Sequence, residues 1–245
     1  MKRDYNSESR DNTGRKYAYQ FDFDVMHPYM LKSFEPFFKP GEALELGCFQ
    51  GAFTERIVGQ FDKVTCVEAS KEAIKAAEQR LAGYENVWFV ESMFEDAVLP
   101  HKYQNIFLVH VLEHIDDRVG VLQKIRKEWL AEDGVLFVAC PNANAPSRQI
   151  AVKMGLIESN TAVTEAERKH GHRVTYTLDT LETEIKKADF KIMHKSGVFF
   201  KALANFQWDR LMETDIISKE YLDGCYSLGQ QYPDLCSSIY CVCRK

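Results

Sequence analysis

Several things are missing from this chain, and each absence narrows what it can be. No apolar run approaches the ~20 residues that a membrane-spanning helix requires. The stretch from Met1 to Arg15 is polar and charged and has no apolar segment of the kind found in a secretory leader. Seven cysteines are present, Cys48, Cys66, Cys140, Cys225, Cys236, Cys241 and Cys243, but no two stand in a C-x-x-C spacing. An odd count without metal spacing predicts reduced thiols and a cytoplasmic setting rather than a disulfide framework. Positive charge is also short: 31 Lys and Arg face 36 Asp and Glu, for a net charge of −5. That balance argues against nucleic acid or an anionic membrane as the main partner. There is no internal repeat and no low-complexity tract.

What is present is ordinary globular material, 245 residues with 45% hydrophobic and 27% charged content, enough for one α/β domain with decorations. Apolar positions at helical spacing predict a helix between Phe21 and Phe38, stopped by Lys39-Pro-Gly41. From 42 to 142 short apolar runs alternate with amphipathic ones. Strands are expected at Ala43–Leu46, Lys63–Val67, Val87–Val90, Ile106–His110 and Val135–Cys140. Helices are expected over 52–60, from Ser70 as N-cap to about Leu81, and over 119–130, with Gly134 as the break. Continuous apolar strands between such helices predict a parallel sheet covered on both faces. Beyond Pro141 the pattern loosens. A helix over 147–156, a loop-like stretch over 157–175, a helix marked by Leu178, Leu181, Ile185 and Ala188, and strands at Phe190–Phe200 and Ser237–Cys243 follow, with an aromatic-rich insertion over 202–232.

The run Ala43-Leu-Glu-Leu-Gly-Cys-Phe-Gln-Gly51 carries the first chemistry. It reads as a strand, a glycine turn and a helix start, with the acid Glu68 closing the next strand about twenty residues on. Glycines let a ligand lie against backbone, and the acid suits the ribose hydroxyls of a nucleoside. A dinucleotide turn, G-x-G-x-x-G, needs a glycine where Phe49 stands. A bulky side chain there suits a nucleoside cofactor without a pyrophosphate better.

These motifs resemble those of the class I S-adenosylmethionine-dependent methyltransferases. Glu45-Leu-Gly47-Cys-Phe-Gln-Gly51 is similar to their first motif, E/D-x-G-x-G-x-G, and Val64-Thr-Cys-Val-Glu68-Ala-Ser to their second. Asn86 to Asp96 is similar to the third. His110-Val-Leu-Glu-His-Ile-Asp116 resembles the run after the fourth strand in the ubiquinone-pathway O-methyltransferase-like branch, and Leu130 to Pro141 resembles the following helix end and strand. The likeness covers roughly residues 20–200. It implies an α/β Rossmann-like fold: a mostly parallel seven-stranded sheet with helices on both faces, a closing antiparallel strand, and a small cap from the N-terminal arm and the late insertion. It implies a single domain over 1–245, with arm and helix over 1–40, a cofactor-binding half over 41–142, and a substrate-side half over 143–245. S-adenosyl-L-methionine is the implied cofactor and S-adenosyl-L-homocysteine its product. Glu45, Gly47, Cys48, Phe49 and Gly51 would lie beside the methionine part, and Glu68 would hold the ribose. Ala69 and Ser70 would begin the adenosine wall, and Met93 and Phe94 would flank adenine, with Glu95 or Asp96 replacing the usual Asp. His110 and Val111 would meet the methionine part.

The acceptor is expected to be a small molecule, methylated at oxygen. An oxygen acceptor needs a base for its proton. His114 follows the fourth strand near the carboxyl edge of the sheet, and His172 lies in the Lys169-His-Gly-His-Arg173 cluster, so both are candidate catalytic residues. Arg173 is a candidate to hold an anionic acceptor, and Arg15 and Tyr17 to fold over the cofactor. No metal is expected from His110, Glu113, His114, His170 and His172, because their order is not the H-E-x-x-H of a zincin helix. Two alternatives stand beside the leading reading. One is a nicotinamide-dependent oxidoreductase, although none of the tyrosines precedes a lysine by four residues as short-chain dehydrogenase chemistry requires. The other is a non-catalytic adenosylmethionine-binding protein.

Overall fold

The computed structural model describes residues 3–11 and 16–245. Seven strands form one sheet: β1 (Ala43–Leu46), β2 (Val64–Glu68), β3 (Val87–Glu91), β4 (Tyr103–Val109), β5 (Leu130–Pro141), β6 (Lys191–Phe200) and β7 (Cys236–Arg244), in the spatial order β3-β2-β1-β4-β5-β7-β6. The pairs β1–β2, β2–β3, β1–β4 and β4–β5 are parallel, and β7 runs antiparallel to both β5 and β6. This is the expected Rossmann-like architecture.

The described helices are α1 (Tyr5–Glu8), α2 (His27–Phe34), α3 (Thr54–Ile57), α4 (Lys71–Arg80), α5 (Arg118–Lys124), α6 (Pro146–Lys153), α7 (Glu165–Lys169), α8 (Leu178–Lys187), α9 (Asn205–Met212) and α10 (Lys219–Gln231). Alternation along each strand sorts side chains onto two faces. Phe107, Phe137 and Tyr240 project to one face, where Phe34 of α2 packs on them; Phe107 and Phe137 stack at 4.8 Å. Leu108, Val138 and Cys241 project to the other, against Leu122, Trp129, Leu181 and Ile185. Each fully buried apolar side chain contributes about 1.5–3 kcal/mol, so both faces are strongly held.

Local chemistry sets the boundaries that matter for the site. Ser70 caps α4, its hydroxyl accepting from the Ala73 N–H at 3.1 Å. Two expectations need correction. The 157–175 stretch is not all loop: Thr164 and Glu167 form a capping box that starts α7. Gly134 does not precede the fifth strand but lies inside β5, because Leu130 already pairs with Tyr103 and the register then jumps to Asn105–Val135, a bulge that absorbs the intervening residues. The insertion folds as α9 and α10, with Trp208 buried and stacked on Phe21 at 5.0 Å. Among the described residues no helix is long and apolar enough to cross a membrane.

Candidate active site

A cleft of about 730 Å³ opens above the carboxyl ends of the central strands. Its floor is built by backbone conformation. Gly47, Phe49 and Gly51 all take positive φ, +78°, +48° and +75°, so the chain coils tightly out of β1. A Cβ on Gly47 would stand 2.5 Å from Val111 Cγ2, so only glycine fits there. Gly51 does not reach the cleft. It lies behind the turn against Leu81 and Ala77 of α4 and lets the two elements approach. Phe49 occupies the left-handed region despite its side chain, a conformation that costs roughly 1–2 kcal/mol. Its N–H donates to Glu68 Oε2 at 3.1 Å, and its ring packs on Tyr17 at 5.0 Å.

Glu68 uses one oxygen for Phe49 and the other for the Ser70 N–H at 2.8 Å. Burial raises its carboxyl, while the N–H groups of Ser70, Phe49 and Ala69 oppose that shift. The carboxylate still has room to accept from a further donor. Glu45 is buried beneath the turn, accepts from the Thr54 hydroxyl at 2.6 Å, and is pushed up to about 7 by burial. Cys48, Ala69, Met93 and Phe94 line the same end of the cleft. Of the two acids that sequence could not separate, Glu95 lines it and Asp96 does not.

The other end gathers histidines. His110 lies just past β4 with φ +53°, and its Nε2 pairs with Ser238 Oγ at 2.9 Å. The His114 and His172 rings meet at 4.4 Å. Burial, then the neighbouring imidazole of His172, pushes His110 down to about 4. Burial likewise holds His114 well below its usual value and His172 at about 4, so all three rings are neutral at neutral pH. His27, which sequence reasoning passed over, is a fourth neutral imidazole on the cleft wall, lowered to about 3 by burial. Glu113 is 2% exposed, among the described residues neither carboxyl oxygen has an N–H or O–H donor, and burial pushes it up to about 8, opposed in part by the Cys140 thiol. Histidines four apart at 110 and 114 would share a helix face, but only Leu112–His114 is helical, a single 3-10 turn. The set able to hold a cation is instead Glu113, His114 and His172, whose ligand atoms lie within 4.8 Å of one another. All three are among the five residues from which no metal is expected on sequence spacing, and the fold, rather than that spacing, brings them together. Arg173 does not line the cleft; its Nε donates to Asp116 Oδ1, on the cleft wall, at 2.7 Å.

The N-terminal arm closes the cleft. Asn6 Oδ1 accepts from the Ser70 hydroxyl at 2.7 Å, and the Arg3 guanidinium donates to the carbonyls of His114 and Gly171. Tyr17 sits between Phe49, His114 and His170. Arg15 lies outside the described residues. The signal for Tyr17 was weak in sequence. For His27, Asp22 and Lys201, which also line the cleft, there was none, because each comes from a separate segment.

Over 100 residues the chain is 37% identical to an (S)-coclaurine N-methyltransferase of Thalictrum flavum, a match covering 39% of this chain and 27% of that protein. Over 118 residues it is 26% identical to a ubiquinone biosynthesis O-methyltransferase of Glaesserella parasuis, covering 45% and 50%. The chain thus spans half or less of the length of these curated relatives. Among solved structures, the N-methyltransferase NodS of Bradyrhizobium japonicum, crystallised with S-adenosyl-L-homocysteine, superposes with a TM-score of 0.60 at 14% identity, over 98% of this chain and 95% of that one. The methyltransferase-domain profile matches residues 19–195, well over half the sequence, and the chain belongs to that family.

Proposed function

We propose that this chain is an S-adenosylmethionine-dependent methyltransferase acting on a small-molecule acceptor at oxygen. The observation that carries the reading is a single cleft with Glu68 at one end and the facing His114 and His172 rings at the other. The methyl donor fits this chain's residues. Glu68 keeps acceptor capacity for a ribose hydroxyl, and the Phe49 side chain sits where a pyrophosphate would need bare backbone. When bound, S-adenosylmethionine supplies a methyl group on a sulfonium sulfur. Gly47, Cys48 and Phe49 hold the methionine part, Ala69, Ser70, Met93 and Phe94 enclose the adenosine, and His110 and Val111 border the reacting centre. Residues 41–142 thus serve the donor and residues 143–245, with the arm, serve the acceptor.

His114 would take the acceptor's hydroxyl proton on a ring nitrogen, leaving the oxygen as the nucleophile for the methyl group that the donor would supply, with the sulfonium departing as a neutral thioether. A neutral imidazole is the form that accepts a proton, and burial keeps it so. His172 stacks edge-on against it and fixes the ring. Arg3 and Tyr17 seal the cleft against water, which preserves the in-line geometry. The likeness to the ubiquinone O-methyltransferase and the run His110 to Asp116 support oxygen as the target. Nitrogen is the second reading, favoured by the 37% identity to an N-methyltransferase.

Calorimetric titration with S-adenosylmethionine, S-adenosylhomocysteine and NAD(H) tests the donor. Micromolar binding of the adenosyl ligands alone is expected, followed by label transfer to hydroxyl acceptors. Binding of NAD(H) in their place would overturn the reading, and transfer only to amines would move the target to nitrogen.

A further inference from the structure

Lys201 follows β6 and is only 4% exposed, yet it lines the cleft. Its ammonium donates to the Leu203 carbonyl at 3.0 Å and lies over the Phe21 ring at 5.4 Å. Among the described residues it makes no ion pair. The nearest acid in effect is Asp22, but both Asp22 oxygens are already occupied. They accept from Asn205 Nδ2 at 2.8 and 2.9 Å, and one also accepts from the Tyr19 N–H at 3.2 Å. Asp22 therefore offsets the lysine charge through space without touching it. A buried ammonium with two N–H groups left to satisfy costs several kcal/mol unless something in the cleft meets it. Burial lowers the Lys201 amine to about 8, and the Asp22 carboxylate opposes that shift. A second cation, Arg210, stands at the exposed rim of the same cleft and is in no ion pair among the described residues. Phe23 and Phe206 line the wall beside them.

We propose that the methyl acceptor carries an anionic group, a carboxylate or phosphate on an apolar body, and that Lys201 binds it, with Arg210 drawing it in at the rim. This rests on the methyltransferase reading and names the chemistry of its acceptor. Lys201 makes two charge-assisted hydrogen bonds to the anion, and the apolar body lies against Phe23 and Phe206. The opposite end of the acceptor is thereby held toward His114. Asp22 is a positioning residue: it keeps the lysine charged in a buried place and leaves its free N–H groups to the ligand.

The test is titration of the protein, alone and saturated with S-adenosylhomocysteine, with benzoate, phenyl phosphate and neutral benzamide. At least one anion should bind tenfold or more tighter than benzamide to the saturated protein, and which one binds separates carboxylate from phosphate. Lys201→Met should erase that preference and leave S-adenosylhomocysteine affinity unchanged, while Lys201→Arg should retain part of it. Equal binding of all three probes to the wild type overturns the proposal, whatever the variants do. So does a Lys201→Met loss in S-adenosylhomocysteine affinity equal to the loss for the anion, since the ammonium would then serve the donor's own carboxylate. Anion binding without any adenosyl-ligand binding would keep the anion site and remove the methyl-transfer reading beneath it.

Discussion

The two ends of the cleft are built by different means. At the Glu68 end the partners are close in sequence: Phe49 and Glu68 are 19 residues apart, and Glu68 and Ser70 only 2. Backbone groups do most of the binding there, so the geometry follows from one strand–turn–helix–strand unit. At the histidine end the partners are remote. His110 and Ser238 are separated by 128 residues, Arg3 and His114 by 111, and Asp22 and Asn205 by 183. That end consists of side chains from the arm, the loop after β4, the α7 region and the cap. A backbone-built end tolerates little change, whereas a side-chain-built end can be altered piece by piece; under the proposed function the first would hold the donor and the second the acceptor.

Substitutions at the two ends should therefore fail differently. The largest loss is expected for Gly47→Ala, which adds a Cβ 2.5 Å from Val111 in a left-handed conformation; strain and overpacking together should cost roughly 2–5 kcal/mol in urea denaturation. Glu68→Ala should leave the fold intact and weaken S-adenosylhomocysteine binding about 100-fold by calorimetry, since hydrogen bonds to a charged group contribute about 1.5–3 kcal/mol each. His114→Ala should change that affinity by less than about twofold and lower turnover by about 10²-fold, the lower range of general-base effects. Unchanged turnover would remove the base from the mechanism. Because the working form is the neutral ring and burial lowers its proton affinity, wild-type turnover should show no loss as pH falls from 7 to 6.

A smaller effect concerns stability. Glu113 is pushed up to about 8 by burial, so between its unfolded value near 4.5 and pH 8 the folded state holds a proton that the unfolded state has lost. Its contribution is complete below about 4.5 and diminishes as pH rises through 8, by about 1.4 kcal/mol per unit at most. The buried histidines act in the opposite direction, but only below about 6.5. Between pH 6.5 and 8 the melting temperature should therefore fall, and Glu113→Gln should flatten that slope. The least effect is expected for Arg10→Ala, which breaks the exposed Arg10–Glu72 pair and should cost under about 0.5 kcal/mol.

Legibility in the sequence follows the same division. The positions of the strands, the Ser70 cap, the glycine turn and Glu68 were readable because each is encoded within one local segment. The capping box at Thr164 and Glu167 was also written locally, but the five-residue helix it starts is too short for periodicity to reveal. The early start of β5 was hidden because its pairing with Tyr103 is a tertiary event, and the helical spacing of 119–130 ran straight into it. His114 and His172 were singled out separately, while their meeting at 4.4 Å belongs to the fold. Lys201 and Asp22 gave no signal, since a lone lysine after a strand and an aspartate in the first turn of a helix read as solvated residues until the fold buries them.

The placement of β7 has a consequence for how the protein is made. It follows β6 in the chain but lies between β5 and β6 in the sheet. Until β7 has left the ribosome, β6 has no neighbour to hydrogen-bond with, and the outer edge of β5 is open. Biosynthesis should thus pass through a stage in which the five parallel strands are assembled while β6, and the Lys201 that follows it, wait outside. The Glu68 end can form during translation, whereas the histidine end, where His110 pairs with Ser238 of β7, is completed only when β7 slides into the gap.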